Sequence, residues 1–336
     1  MPDSILRQAS VDLQEALISQ GLAEPEQATA TLEATLADLP PLLFQSGLCA
    51  GYPLKPAPHQ YFVAQEFSAD REDLLRALEG AFRVFNLRPY RADQDILAGH
   101  ILCKIAAKLQ TTLFGVFELT HRQNRNVYLE LGVAIGMGRP FVLVKEANAE
   151  LPSLIEGLDY YNIQSYAVMQ RELGARLQEY VLSITQYQRA ATEPDEDPNN
   201  TYIIAHGDYD MPLDFTLAVS EGLASTNLHP VLVGSDSIED AAGLAVPRAP
   251  DSRLDAIVKA IRKARFGIYR VDAGSSPDVF LALGLAIGLN KPWFLCKREG
   301  SEVPTDVRGL SMWSFKAFID LQSQILQRLE TFTGNA

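Results

Sequence analysis

Apolar and polar positions along this chain switch between two periods. Tyr61-Phe62-Val63-Ala64 is a short apolar run that ends in the polar loop Gln65–Ser68, the pattern of a buried strand. Asp70–Phe85 has helical spacing, with Leu74, Leu75, Leu78, Ala81 and Phe82 on one face. Leu87–Tyr90 predicts a second strand, Gly99–Leu109 a helix and Leu113–Phe117 a third strand. Asn126–Met137 predicts a helix, Pro140–Val144 a fourth strand and Ala167–Gln188 a long helix. Strand and helix in strict alternation predict a parallel sheet covered by helices on both faces.

The same pattern then comes a second time. Leu113–Val144 aligns without a gap on Arg265–Cys296, at a constant offset of 152 residues. Phe114/Phe266, Gly115/Gly267, Val127/Val279, Gly132/Gly284, Ala134/Ala286, Ile135/Ile287, Gly136/Gly288 and Pro140/Pro292 are identical pairs. Tyr202-Ile203-Ile204-Ala205 matches the first strand, and Gln322–Phe332 reads as a closing helix. A period near 150 residues is a duplicated domain and far too long for a solenoid repeat. The predicted fold class is α/β, with two doubly wound parallel-sheet domains in tandem. Residues 1–58 form a helical appendage, with Ser10 and Asp12 as caps and Pro40-Pro41 as a stop. The first domain covers 59–190, an acidic linker 191–200, and the degenerate second copy 201–336.

The positions shared by the two copies are apolar or glycine, which is scaffold. The acidic pair of the first copy is lost from the second: Glu118 stands opposite Arg270, and Glu130 opposite Ala282. The second copy therefore reads as catalytically silent. In doubly wound sheets ligands sit beyond the carboxyl ends of the strands. The first copy has polar loops there, which nominate Gln65, Phe67, Ser68, Arg91, Asp93 and Thr120 as ligand-binding residues. Asn126 is a candidate helix cap and ligand contact. Glu130 follows in the first or second turn, where the positive helix end predicts a lowered pKa and an ionised carboxylate. Such a group serves as nucleophile or oxocarbenium stabiliser, with Glu118 handling a proton at the leaving base. Gly132, Gly136 and Gly138 lie within or after a helix, so they read as close helix packing and not as a dinucleotide loop. His100 and His121 have no partner at metal-ligand spacing.

These residues carry a resemblance. Glu118-Leu119-Thr120, then Asn126-Val127-Tyr128-Leu129-Glu130-Leu131-Gly132, then Gly138-Arg139-Pro140-Phe141-Val142-Leu143-Val144 resembles the nucleoside 2-deoxyribosyltransferase superfamily. That superfamily includes deoxynucleotide N-glycosidases and is related to TIR domains, some of which cleave NAD. The resemblance implies a flavodoxin-like fold and hydrolysis or transfer at an N-glycosidic bond of a nucleoside, nucleotide or NAD-like ligand. It implies Glu130 as nucleophile and Glu118 as the second acidic residue. Two departures stand out: the first loop is not glycine-rich, and Arg139 replaces the usual Lys.

Composition narrows the partners. A net charge of −13 and a pI near 4.9 speak against a nucleic-acid polymer or an anionic membrane, which clustered cations would hold. Cys49, Cys103 and Cys296 form no CxxC pair and predict no disulfide framework, hence a reducing cytosol and no structural zinc. Cys103 and Cys296 read as small core residues. No apolar run is long enough to span a membrane. No metal and no covalent cofactor is expected, and a homo-oligomer stays open. Two other classes compete with an enzyme. One is a non-catalytic nucleotide sensor or assembly module in defence or signalling; the other is an interaction protein that docks through its N-terminal helices and second copy.

Overall fold

The computed structural model describes residues 49, 57, 59–66, 72–91, 100–119, 124–174, 200–207, 212–233, 238–239, 253–272 and 274–328. The predicted N-terminal helices, the linker up to residue 199 and four predicted site residues (Phe67, Ser68, Asp93 and Thr120) lie outside these. The protein is α/β, built of two tandem flavodoxin-like sheets flanked by helices.

The first compact unit carries the strands β1 (Gln60–Ala64), β2 (Arg88–Arg91), β3 (Gly115–Glu118), β4 (Phe141–Glu146) and β5 (Tyr161–Ile163). All are parallel, in the order β2-β1-β3-β4-β5, which is the flavodoxin arrangement. Its helices are α1 (Glu72–Phe82), α2 (Ile101–Thr111) and α4 (166–174). The expected helix Asp70–Phe85 thus ends in a 3-10 turn, Arg83–Phe85, which Asn86 stops at φ 57°. Strand β5 and the 3-10 turn Ser153–Ile155 carry too little periodicity for sequence reading to find. Leu74, Leu75, Leu78, Ala81 and Phe82 of α1 pack with Tyr61, Val63, Val116, Val142 and Val144 of the sheet. The opposite face is covered by Leu102, Ile105, Ala106 and Leu109 of α2, all buried.

Two polar side chains fix the ends of α2. His100 is its N-cap, and its Nδ1 accepts from Leu102 N at 3.2 Å. Arg139 closes the other end, donating to Leu109 O at 3.0 Å and Thr112 O at 2.7 Å. Burial pulls the Arg139 guanidinium down to about 10.

Cys49 is joined to Cys103 of α2 by a disulfide, with their Cα atoms 5.4 Å apart. This corrects the expectation of unpaired cysteines, and a cytosolic location no longer follows from the cysteine pattern. Spacing hid the pair because 54 residues separate its members. Closing a loop of that length is worth about 4 kcal/mol. The double variant Cys49→Ser, Cys103→Ser is expected to melt roughly 10 °C lower; a calorimetric scan with unchanged midpoint would contradict that assignment. Cys296 is a buried free cysteine in the second core, as expected.

The second unit carries β6 (Thr201–Ala205), β7 (His229–Val233), β8 (Ile238–Glu239), β9 (Gly267–Arg270), β10 (Trp293–Arg298) and β11 (Met312–Phe315). The order is β11-β10-β9-β6-β7-β8, the same parallel sheet with β8 added antiparallel at one edge. Its helices are α5 (Pro212–Gly222), α6 (Arg253–Lys263), α7 (Pro277–Gly288) and α8 (Phe318–Leu326). The closing helix therefore starts earlier than its sequence pattern suggests, at Phe318. Tyr202, Ile204, Phe215, Val219, Ile268, Leu321 and Ile325 form its core.

By its contacts, the helix α3 (Arg125–Gly136) of the first sequence copy belongs to this second unit, as does the turn Ser153–Ile155. It packs against α7, its own counterpart at the 152-residue offset. A Cβ on Gly132 would stand 2.9 Å from Gly284 Cα and closer still to Leu281 O. A Cβ on Gly284 would stand 2.9 Å from Gly132 Cα and closer still to Leu129 O. Each contact has its mirror image at the offset, the signature of an isologous pairing. Gly138, at φ 64°, ends the turn after α3.

Candidate functional site

The helix pair α3/α7 sets the position of Glu130. Asn126 and Glu130 are one turn apart, so they share a face of α3. Helix α3 begins at Arg125, which puts Asn126 inside the first turn and corrects its expected role as the cap of that helix. Its Oδ1 instead accepts from Asp306 N at 3.4 Å, within the 3-10 turn Thr305–Val307. With its backbone held at Asn126, Asp306 brings its carboxyl onto Glu130 within hydrogen-bonding reach.

Both carboxyls are buried: Glu130 is 7% exposed and Asp306 3%. Burial, and then the charge and hydrogen bond of Asp306, push the Glu130 carboxyl well above the ordinary range. Asp306 is raised by burial to about 6, while its hydrogen bond to Glu130 pulls the other way. Two touching carboxylates cannot both ionise out of water, so the pair holds one proton. Burial raises both carboxyls and the like charge of Asp306 raises Glu130 further, so the proton belongs to the pair. The expected lowered pKa is therefore corrected. The positive end of one helix is a smaller effect than desolvation plus a like charge.

The pseudo-twofold counterpart is built from different residues. Asp278 of α7, opposite Asn126 at the offset, accepts from Leu154 N at 3.2 Å and Ser153 Oγ at 3.3 Å. Leu154 is the counterpart of Asp306, and Ala282 that of Glu130, so the second location holds no carboxyl pair. Burial raises Asp278 to about 6 against these bonds and the pull of Arg253. Sequence reading missed Asp306 and Asp278. The signal was present: at the offset, carboxyls in the second copy face Leu154 and Asn126 in the first.

A pH effect follows with a definite sign. An acid whose folded pKa is raised holds its proton more tightly in the folded chain. Its contribution to stability is present below the unfolded value, about 4. It is lost as pH rises through the folded value, about 6 for Asp278 and Asp306. The wild-type melting temperature is expected to fall between pH 4.5 and 7.5, and Asp278→Asn to flatten that slope. Equal slopes in the two proteins would remove Asp278 from the account.

The other described candidates lie in the first unit. Ala64 is in register with Phe117, which puts Gln65 and Glu118 next to one another at the carboxyl edge of the sheet, both buried. Arg91, at the end of β2, pairs with Glu72 at 2.8 Å, so a carboxylate of its own chain engages it.

The second sheet has His206 and Arg270 at the corresponding edge. His206 stands just past β6, with Nε2 2.9 Å from Thr216 Oγ1. Arg270, opposite Glu118, is buried and paired with Asp272. Its guanidinium carbon lies 5.8 Å from the rings of Phe215 and Phe315 and 6.0 Å from that of Phe318. Asp272 also accepts from Arg298 N at 2.7 Å. The chain's own side chains fill this edge.

Among the described residues, no group of three or more His, Cys, Asp or Glu is placed to hold a metal ion. No described helix is long and apolar enough to cross a membrane. No known family model matches the chain, and no curated protein matches it either.

Proposed function

We propose that the chain cleaves or transfers at the N-glycosidic bond of a nucleoside, nucleotide or NAD-like ligand, with Glu130 as the acting carboxyl. The observation that carries this reading is the buried, proton-sharing Glu130–Asp306 pair, which has no equivalent at Ala282 and Leu154. The resemblance of the residues around Glu118, Glu130 and Gly138–Val144 to the nucleoside 2-deoxyribosyltransferase superfamily supplies the reaction class.

A protonated Glu130 begins as an acid. It gives its proton to the departing base nitrogen as the C–N bond breaks and its electron pair leaves with the base. The carboxylate left behind faces the oxocarbenium centre at the moment positive charge develops there. Water or an acceptor hydroxyl then bonds to the anomeric carbon, and the proton it loses restores Glu130. The earlier role of nucleophile would require Glu130 to be ionised before the bond breaks, which burial beside Asp306 opposes.

A second reading is favoured by the depth of Glu130, which is buried like a core residue. The chain would then be a nucleotide-sensing or assembly module, with the carboxyl pair as a structural lock. A product assay separates the two. Wild-type protein is incubated with nucleosides, 5′-nucleotides, 2′-deoxynucleotides and NAD, and free base is sought by mass spectrometry. Free base from one class supports cleavage and names the substrate. A ligand-induced rise in melting temperature without any base supports the sensor and overturns the enzyme.

A further inference from the structure

We propose that Asp306 is the positioning residue for Glu130, so that the second repeat completes a site which the first repeat does not hold by itself. This rests on the functional reading above only for its kinetic readout. The geometric argument begins with Asn126. Its Oδ1 takes the Asp306 N–H at 3.4 Å, and Glu130 lies one turn further along the same face of α3. A residue docked by its backbone at Asn126 brings its carboxyl beside Glu130. Asp306 Oδ2 is buried and has no donor among the described atoms apart from a proton on Glu130 itself. Two buried acceptors in contact need that proton between them.

The neighbouring charges are otherwise engaged. Arg125 of α3 donates to Ser275 O at 3.0 Å. Asp278 of α7 faces Ser153, Leu154 and Arg253. Among the described residues, the charged group that faces Glu130 is Asp306.

The second repeat has Ala282 where the first has Glu130, and Asp306 where the first has Leu154. The carboxylate of Asp306 accepts the Glu130 O–H, orients it, and keeps it protonated until a base nitrogen takes the proton.

The test follows the ionisation of Glu130 directly. Full-length protein carrying 13C-labelled glutamate carboxyls is titrated by NMR, with Glu130→Gln assigning the resonance. In Asp306→Asn the Glu130 midpoint is expected to fall by at least about one pH unit, because the like charge is gone. Asp306→Glu, which restores a carboxyl, is expected to recover most of the wild-type value. If Asp306→Asn does not fold, Asn126→Ala, which releases the Asp306 backbone, is expected to move the midpoint the same way by less. A Glu130 midpoint unmoved in every folded variant overturns the proposal. The alkaline limb of the rate profile should shift together with the NMR midpoint. A wild-type protein that releases no base, yet shows the shifted midpoint, retains the Asp306 assignment and loses the glycosidic reaction.

Discussion

If the proposed cleavage holds, Glu130→Gln is expected to lower release of free base by about 10³-fold, the contribution of a positioned general acid. The amide has nearly the shape of the carboxyl, so α3 keeps its packing. What is lost is the proton given to the leaving base and the negative charge that would face the anomeric carbon. Far-UV circular dichroism should be unchanged. Above pH 7 the melting temperature should hold or rise, since a buried carboxyl raised well above its ordinary value has been replaced by a neutral group. Turnover within a factor of a few of wild type would remove Glu130 from the mechanism, and with it the pair as the centre of the site. Lost turnover together with a lower melting temperature would instead mark Glu130 as part of the core, as the sensor reading requires.

The second large effect is structural. Gly132→Ala and Gly284→Ala each push a methyl group into the backbone of the facing helix, at Leu281 O and Leu129 O respectively. A backbone carbonyl inside a packed helix cannot turn aside as a flexible side chain does. Each substitution is expected to cost about 3 kcal/mol, the upper range for overpacking. For a unit of this size that corresponds to a melting temperature lower by roughly 6–12 °C. The two costs should fall short of additive, because both methyl groups pry apart the same helix pair. Because Asn126 and Glu130 ride on α3, either alanine should also displace Glu130 from Asp306. Scanning calorimetry reads the first effect and the Glu130 titration the second. Wild-type stability in both variants would show that the helices do not approach through these glycines.

The glycines show how much of the fold is legible locally. Gly132 and Gly136 recur in the second copy, and their place inside a helix excludes a dinucleotide loop; close packing is what remains, and α7 is the helix they meet. The strands β1 to β4 and the helices α1 to α3 appear within a few residues of their apolar runs. Strand β5 escaped because three residues carry almost no period. Among the candidates, Gln65 and Glu118 were found from strand ends, and the sheet sets them next to each other. Asp306 was not found, although comparing the two copies position by position would have singled it out.

What the sequence determined by itself is therefore the duplicated α/β pattern, the apolar faces of its helices, and the loss of Glu118 and Glu130 from the second copy. The apolar faces are properties of neighbouring residues at spacings of two to four positions, and the duplication is a linear match at one constant offset; neither needs the chain to be folded. Tertiary structure alone decided the rest. It joined Cys49 to Cys103, set α3 against α7, and brought Asp306 to Asn126 across 180 residues of chain. It also reversed the expected direction of the Glu130 shift, from lowered to raised. A carboxyl's pKa is set by the water it loses and the charge it meets, and both depend on which distant segments the fold brings beside it.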